Sequence, residues 1–156
     1  ALWHGEQLTV AHLGDSRLYR LRGDRYEQLT RDHSWRQEQI DSGLVTPEQA
    51  RTTGAKNIVT RACGIEPAVE PEVHTHPSQA DDLYLLCSDG LSEMVADDAV
   101  RHLLLSHKSD LPRAASELVR QANDNGGKDN VSVILVRIPN PRHSSRLLGR
   151  FGAWLK

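Results

Sequence analysis

The sequence holds little cysteine: two residues in 156, Cys63 and Cys87. Their spacing makes neither a metal motif nor a disulfide framework, and a reducing cytoplasm is the expected location. Cys87 lies in Leu83-Tyr84-Leu85-Leu86-Cys87 and reads as a small buried hydrophobe. No apolar run approaches the roughly 20 residues of a membrane-spanning helix, and no secretory pattern stands at the start. There is no Gly-x-Gly-x-x-Gly fingerprint and no Walker loop, which excludes dinucleotide and nucleotide cradles of those kinds. No internal repeat is present. The net charge of −2 gives no argument for nucleic acid, and no such partner is expected. What remains is an ordinary globular composition, 38% hydrophobic and 26% charged, enough for one domain with a real core.

Strands dominate the first part of the chain. Gln7 to Leu13 alternates, with Leu8 and Val10 on one face and Ala11 and Leu13 on the other. Leu18–Leu21 and Tyr26–Leu29 flank Arg22-Gly23-Asp24 and predict a hairpin. The chain opens on Ala1 and reaches a core strand almost at once, so further sequence upstream is expected. Two short helices follow. Ser34 with Gln37 forms one capping box, Thr46-Pro47-Glu48-Gln49 forms another, and Gly43 separates them. They read as a flap rather than as core. Ile58–Ala62 is short and β-branched, and Val69–His76 alternates, with prolines that favour a sheet edge. Leu83–Cys87 is a continuous apolar run, predicted as a central strand covered on both faces. Helices are expected over 96–106, capped by Asp97, and from Leu111 to Asn123 after Asp110, ending at Asn125-Gly126-Gly127. Val131–Ile138 is the last strand. Strands first and helices later favour an α+β fold with antiparallel pairing.

Three aspartates stand at strand ends. Asp15 closes the first strand, Asp89 follows the apolar run and Asp129 precedes the last strand. Antiparallel pairing of the latter two strands would put Asp89 and Asp129 on one rim, where Asp15 can join them. Mg²⁺ and Mn²⁺ take carboxylate oxygens, and such ions assist attack of water on a phosphate. Gly90, Gly126 and Gly127 leave room for backbone close to a ligand. Each Asp taken singly is also an ordinary turn former.

Leu13-Gly14-Asp15-Ser16-Arg17, Thr30-Arg31-Asp32-His33-Ser34, Leu86-Cys87-Ser88-Asp89-Gly90-Leu91 and Gly127-Lys128-Asp129-Asn130-Val131-Ser132 resemble, in order and spacing, the motifs of the protein phosphatase 2C family. These are metal-dependent protein Ser/Thr phosphatases, here of bacterial type. The resemblance runs from about Leu8 to Ile138. It implies an antiparallel β-sandwich flanked by helices, in an α-β-β-α order incomplete at the N-terminus. It implies two Mn²⁺ or Mg²⁺ ions, with a third, weaker one in bacterial members. On this resemblance Asp89 and Asp129 are metal ligands, and Asp15 with Asp89 holds the third ion. Residues 34–57 form the flap, with Asn57 near that ion. Arg17, Gly90, Asn130 and His33 are supporting candidates, and no side chain is the nucleophile, since metal-activated water attacks the phosphoserine or phosphothreonine. Substrates would be phosphorylated proteins, a Ser/Thr kinase among them.

The family's early motifs do not occur in these residues: the Arg that grips phosphate, a Glu-Asp pair and an Asp-Gly-x-Gly-Gly loop. The expectation is therefore a phosphatase domain over 1–138, inactive as it stands without those motifs. The alternative is a non-catalytic phosphatase-like module that binds a partner. Other readings are plainer. Arg17 ties strand ends together, His33 is held by hydrogen bonds, and Trp35 packs the flap. His74 and His76 share a strand face with no third metal ligand nearby. The tail, 139–156, is basic and amphipathic and suits a membrane surface, a docked partner, or a disordered or self-packed end.

Overall fold

A computed structural model describes residues 1–52, 58–64 and 68–140. Asn57 and nearly all of the basic tail lie outside the described residues. Seven strands form two antiparallel sheets. The first has the order β1 (Leu2–His4), β2 (Gln7–His12), β5 (Glu72–Pro77). The second has the order β4 (Arg25–Gln28), β3 (Arg17–Arg22), β6 (Leu83–Cys87), β7 (Val133–Arg137). Helices α1 (Trp35–Asp41) and α2 (Pro47–Thr52) connect β4 towards β5. Helices α3 (Asp89–Ser92), α4 (Asp97–Ser106) and α5 (Leu111–Asp124) lie between β6 and β7 in sequence.

The pleat of β3 and β6 explains the layering. Leu18 and Tyr84 face one way and cluster with Leu8 and Val10 of the first sheet. Tyr19, Leu21, Leu83, Leu85 and Cys87 face the other way, onto Leu104, Leu118 and their neighbours in the helices. Strand β6 is therefore buried on both faces, which is why its sequence is continuously apolar. The expected α+β class and β-sandwich are present, with β5 at an edge. Among the described residues helices cover only the four-stranded sheet, so the order is β-β-α. The second helical layer of the expected α-β-β-α stack is not seen among them.

Local signals account for most boundaries. Ser34 caps α1 by accepting from the Gln37 N–H. The reciprocal half of that box is absent, because the Gln37 amide donates to Asp41 instead. Thr46 and Gln49 make the complete box at α2. Asp110 caps α5, whose buried face is Ala114, Leu118 and Ala122. Four expectations change. Ala96, not Asp97, is the N-cap of α4, and Asp97 sits in the first turn. β1 pairs with β2 where no strand was expected. Ile58–Ala62 makes a single bridge, Ser34 to Val59, rather than a strand, because the 33–35 backbone is its only described partner. Trp35 is 49% exposed rather than packed into the flap, since the N-terminal turn of a two-helix arm offers it no core.

At the end of the second sheet away from the aspartates, Asp82 is almost fully buried and takes both Arg22 Nε and Nη2 at 2.7 Å. It also accepts from the Gln79 N–H and the Tyr84 hydroxyl. Burial raises its pKa, and Arg22 with these donors brings it below the ordinary carboxylate value. Asp82→Ala, which removes the carboxylate from Arg22 and the Gln79 N–H while Arg22 keeps the Pro77 carbonyl and the Tyr84 hydroxyl keeps Ser78, is expected to cost about 1–3 kcal/mol in chemical denaturation.

Candidate metal-binding rim

The register of the four-stranded sheet sets the rim. Arg17 pairs with Cys87, and Cys87 with Val133. Asp15 precedes the first of these, Asp89 follows the second and Asp129 precedes the third, so all three leave the sheet at the same end. Asp15 and Asp89 are half-buried, and Asp129 is exposed. Burial raises the Asp15 pKa, and the negative charge of Asp89 raises it further. The two carboxylates therefore lie within each other's field.

Asp129 is brought to Asp89 through the backbone. The Ser88 hydroxyl donates to the Asn130 carbonyl at 2.9 Å and accepts from the Ser132 N–H at 3.0 Å. A Cβ on Gly90 would stand 2.5 Å from the Asn130 carbonyl oxygen and 3.3 Å from that of Asp129. Gly90 thus admits the backbone of Asp129 and Asn130 close beside it. Gly126 and Gly127 likewise serve the end of α5, where the Gly127 N–H donates to the Ala122 carbonyl. Asp89 and Asp129 each turn one carboxylate oxygen to the next backbone N–H, of Gly90 and Asn130.

A second strip of chain holds the Asp15 turn. The His12 Nε2–H donates to the Arg31 carbonyl at 2.7 Å. The His33 N–H donates to the Gly14 carbonyl at 2.9 Å. Arg17 grips Asp32 through Nε and Nη2, with the closest contact 2.6 Å. Burial opposes the Arg17 charge, but the Asp32 hydrogen bonds outweigh it and raise the guanidinium pKa. Arg17 is thus committed to a structural clamp. It is also the guanidinium among the residues lining a cleft of about 470 Å³ between the sheets, whose walls include Val10, Leu18, Leu86 and Ile134.

Sequence reading missed His12, Asp32 and Glu72 at this end of the molecule. His12 and Glu72 are cross-strand partners on β2 and β5. The clue was only that each is a polar residue at the end of an alternating strand. His74, considered as half of a metal pair with His76, bonds Glu72 instead, and the two rings stand 6.3 Å apart.

A family model for protein phosphatase 2C matches residues 51–131. The protein phosphatase PhpP of Streptococcus pneumoniae serotype 2 is 41% identical over 132 residues, covering 83% of this chain and 52% of that protein. The crystal structure of the Mycobacterium tuberculosis serine/threonine phosphatase PstP/Ppp superposes with a TM-score of 0.84 at 35% identity, over 89% of this chain and 58% of the other. The catalytic domain of PstP in complex with two manganese ions gives 0.78 at 36% identity, over 89% and 56%. The chain thus spans about half the length of the curated relatives it matches.

Two outcomes follow from this geometry. Gly90→Ala is expected to cost about 1–3 kcal/mol in denaturant unfolding, with the Asn130 amide resonance displaced, because the neighbour is backbone and has no rotamer to yield. Glu72, hydrogen-bonded by His74 and His33, has its pKa lowered from the usual 4.5 to about 2. A depressed carboxylate contributes stability above its unfolded value and loses it as pH falls through the folded value. The stability difference between wild type and Glu72→Gln is therefore expected to be full above about pH 5 and to vanish towards pH 2, read from unfolding curves across that window.

Proposed function

Because the chain belongs to the protein phosphatase 2C family, we propose that its acidic rim is part of a divalent-cation centre for hydrolysing phosphoserine and phosphothreonine on proteins. The observation that carries this reading is the shared register of Arg17, Cys87 and Val133, which delivers three carboxylates to one end of one sheet. The donor set fits Mg²⁺ or Mn²⁺, which favour hard oxygen ligands. The field between Asp15 and Asp89, which raises the Asp15 pKa together with burial, is one that a cation would relieve.

In this reading Asp89 and Asp129 are ligands of the centre, and Asp15 with Asp89 holds a further ion. When bound, such ions neutralise phosphoryl charge and make water nucleophilic near neutral pH. The chain's own contribution is placement. β3, β6 and β7 are rigid supports, which suit a site better than loops do. Arg17 and Asp32 fix the turn between them, and since Arg17 is paired it is assigned to structure and not to phosphate. Helices α1 and α2 form the flap, rooted where the Trp35 N–H donates to Ile58 and the Thr60 N–H to His33. Phosphorylated proteins are the substrate class, with an autophosphorylating Ser/Thr kinase a fitting member.

Release of phosphate from a phosphothreonine peptide tests the reading, run on this chain and on a form extended upstream to the length of its relatives. The extended form is expected to turn over with Mn²⁺ or Mg²⁺ and to stop on chelation. Asp89→Asn or Asp129→Asn is expected to lower its kcat/KM by about 100-fold or more. An extended form that binds Mn²⁺ yet releases no phosphate would point instead to a phosphatase-like binding module.

A further inference from the structure

His33 joins three parts of the molecule. It is buried, 6% exposed. Its Nδ1 accepts from the Gly14 N–H at 3.2 Å, so the ring proton sits on Nε2. That Nε2–H lies 3.1 Å from Glu72 Oε2, on β5 of the other sheet. Its backbone grips Gly14 again through the carbonyl and holds Thr60, at the return of the flap, through its own carbonyl. His12, His33 and Glu72 also offer ligand atoms within 4.8 Å of one another. A transition-metal site is nevertheless the weaker reading. Both His33 nitrogens are engaged, and the His12 and His33 rings stack at 4.6 Å with planes 26° apart. Near-parallel rings send their in-plane lone pairs side by side rather than towards one ion.

We propose that His33, oriented by Glu72, is a positioning residue that fixes the two peptides flanking Gly14, the Leu13–Gly14 peptide through its ring and the Gly14–Asp15 peptide through its backbone N–H, and thereby sets the affinity of the rim for a divalent cation at Asp15. This rests on the reading of Asp15 as an ion ligand. The need for a grip comes from Gly14 itself. Its φ of +94° is open to glycine and strained for other residues. A glycine so placed frees the following peptide to swing, and the next residue carries the carboxylate. His33 takes both the N–H and the C=O of Gly14, while Asp32 holds Arg17 on the far side of Asp15. The ligand is thus pinned before and behind. Groups that orient a metal's ligands commonly govern affinity by about 10- to 100-fold.

The test is a Mn²⁺ titration of the ¹⁵N-labelled chain, following paramagnetic broadening of the amides around Asp15, with exchange of the Gly14 amide measured in parallel. His33→Ala is expected to raise the apparent Kd about tenfold and to speed Gly14 exchange. His33→Asn, whose Oδ1 takes the place of Nδ1, is expected to keep Gly14 protected and Kd within about threefold of wild type. An unchanged Kd in His33→Ala, while Asp15→Asn raises it, overturns the positioning role and leaves the metal reading standing. Equal loss in the Ala and Asn variants marks ordinary packing and also overturns it. No broadening near Asp15 in the wild type removes both readings together. Should His33→Ala not fold, Glu72→Ala at its half-exposed site decides: a Kd raised about threefold or more supports the role, and an unchanged Kd overturns it.

Discussion

The rim depends on a short length of paired chain in which residues 12–17 lie along residues 31–33. His12 holds the Arg31 carbonyl, His33 holds Gly14 by both its N–H and its C=O, and Asp32 holds Arg17. None of these groups is one of the three carboxylates proposed to hold the ion. Together they decide where Asp15 stands. Like charges kept close together repel, and only a stiff frame keeps their oxygens at one place without a counter-ion. A bidentate guanidinium–carboxylate pair and two grips on Gly14 supply that stiffness on either side of Asp15. The same strip bonds the flap's return at Thr60 and, through Glu72, the opposite sheet, so the frame belongs to the whole domain.

The other two carboxylates are held differently. Asp89 and Asp129 sit where β6 and β7 part, and the backbones remain in contact beyond the last ladder bonds through Ser88 and Gly90. Helices α3 to α5 occupy the sequence from Asp89 towards Asp129, yet they pack behind the sheet. A long insertion between adjacent antiparallel strands therefore does not separate the two aspartates. It thickens the support behind them.

Much of this was legible in the residues. β6 announced itself because a strand buried on both faces has no polar positions to alternate, and Asp110 and Thr46 announced helix starts because their side chains do the capping. The shared rim followed from antiparallel pairing of two apolar runs. What escaped was set by partners far away in sequence. Ala96 rather than Asp97 is the cap because chain entry, not side-chain type, decided it. Gly90 reads as leaving room for close backbone, but only coordinates show that the backbone is the Asn130 carbonyl, in the space a Cβ would need. Glu72 carried no motif at all. Its role arises because β5 pairs with β2 in the register that sets it opposite His12, and register is a tertiary outcome.

If Asp15 holds an ion as proposed, affinity for a cation and stability of the folded chain are linked through it. Burial and the neighbouring Asp89 both favour its protonated form, so the native state resists its charge, and a bound cation would remove that resistance. A turn free to move would relieve the repulsion by swinging Asp15 outwards, and would then have little to gain from an ion. The clamp at Gly14 and Arg17 closes that route. The repulsion is therefore retained in the folded chain, where it becomes differential binding energy available to a divalent ion. In the proposed reading, rigidity beside the site, rather than the number of carboxylates in it, is what would make three ordinary turn aspartates a metal-binding surface.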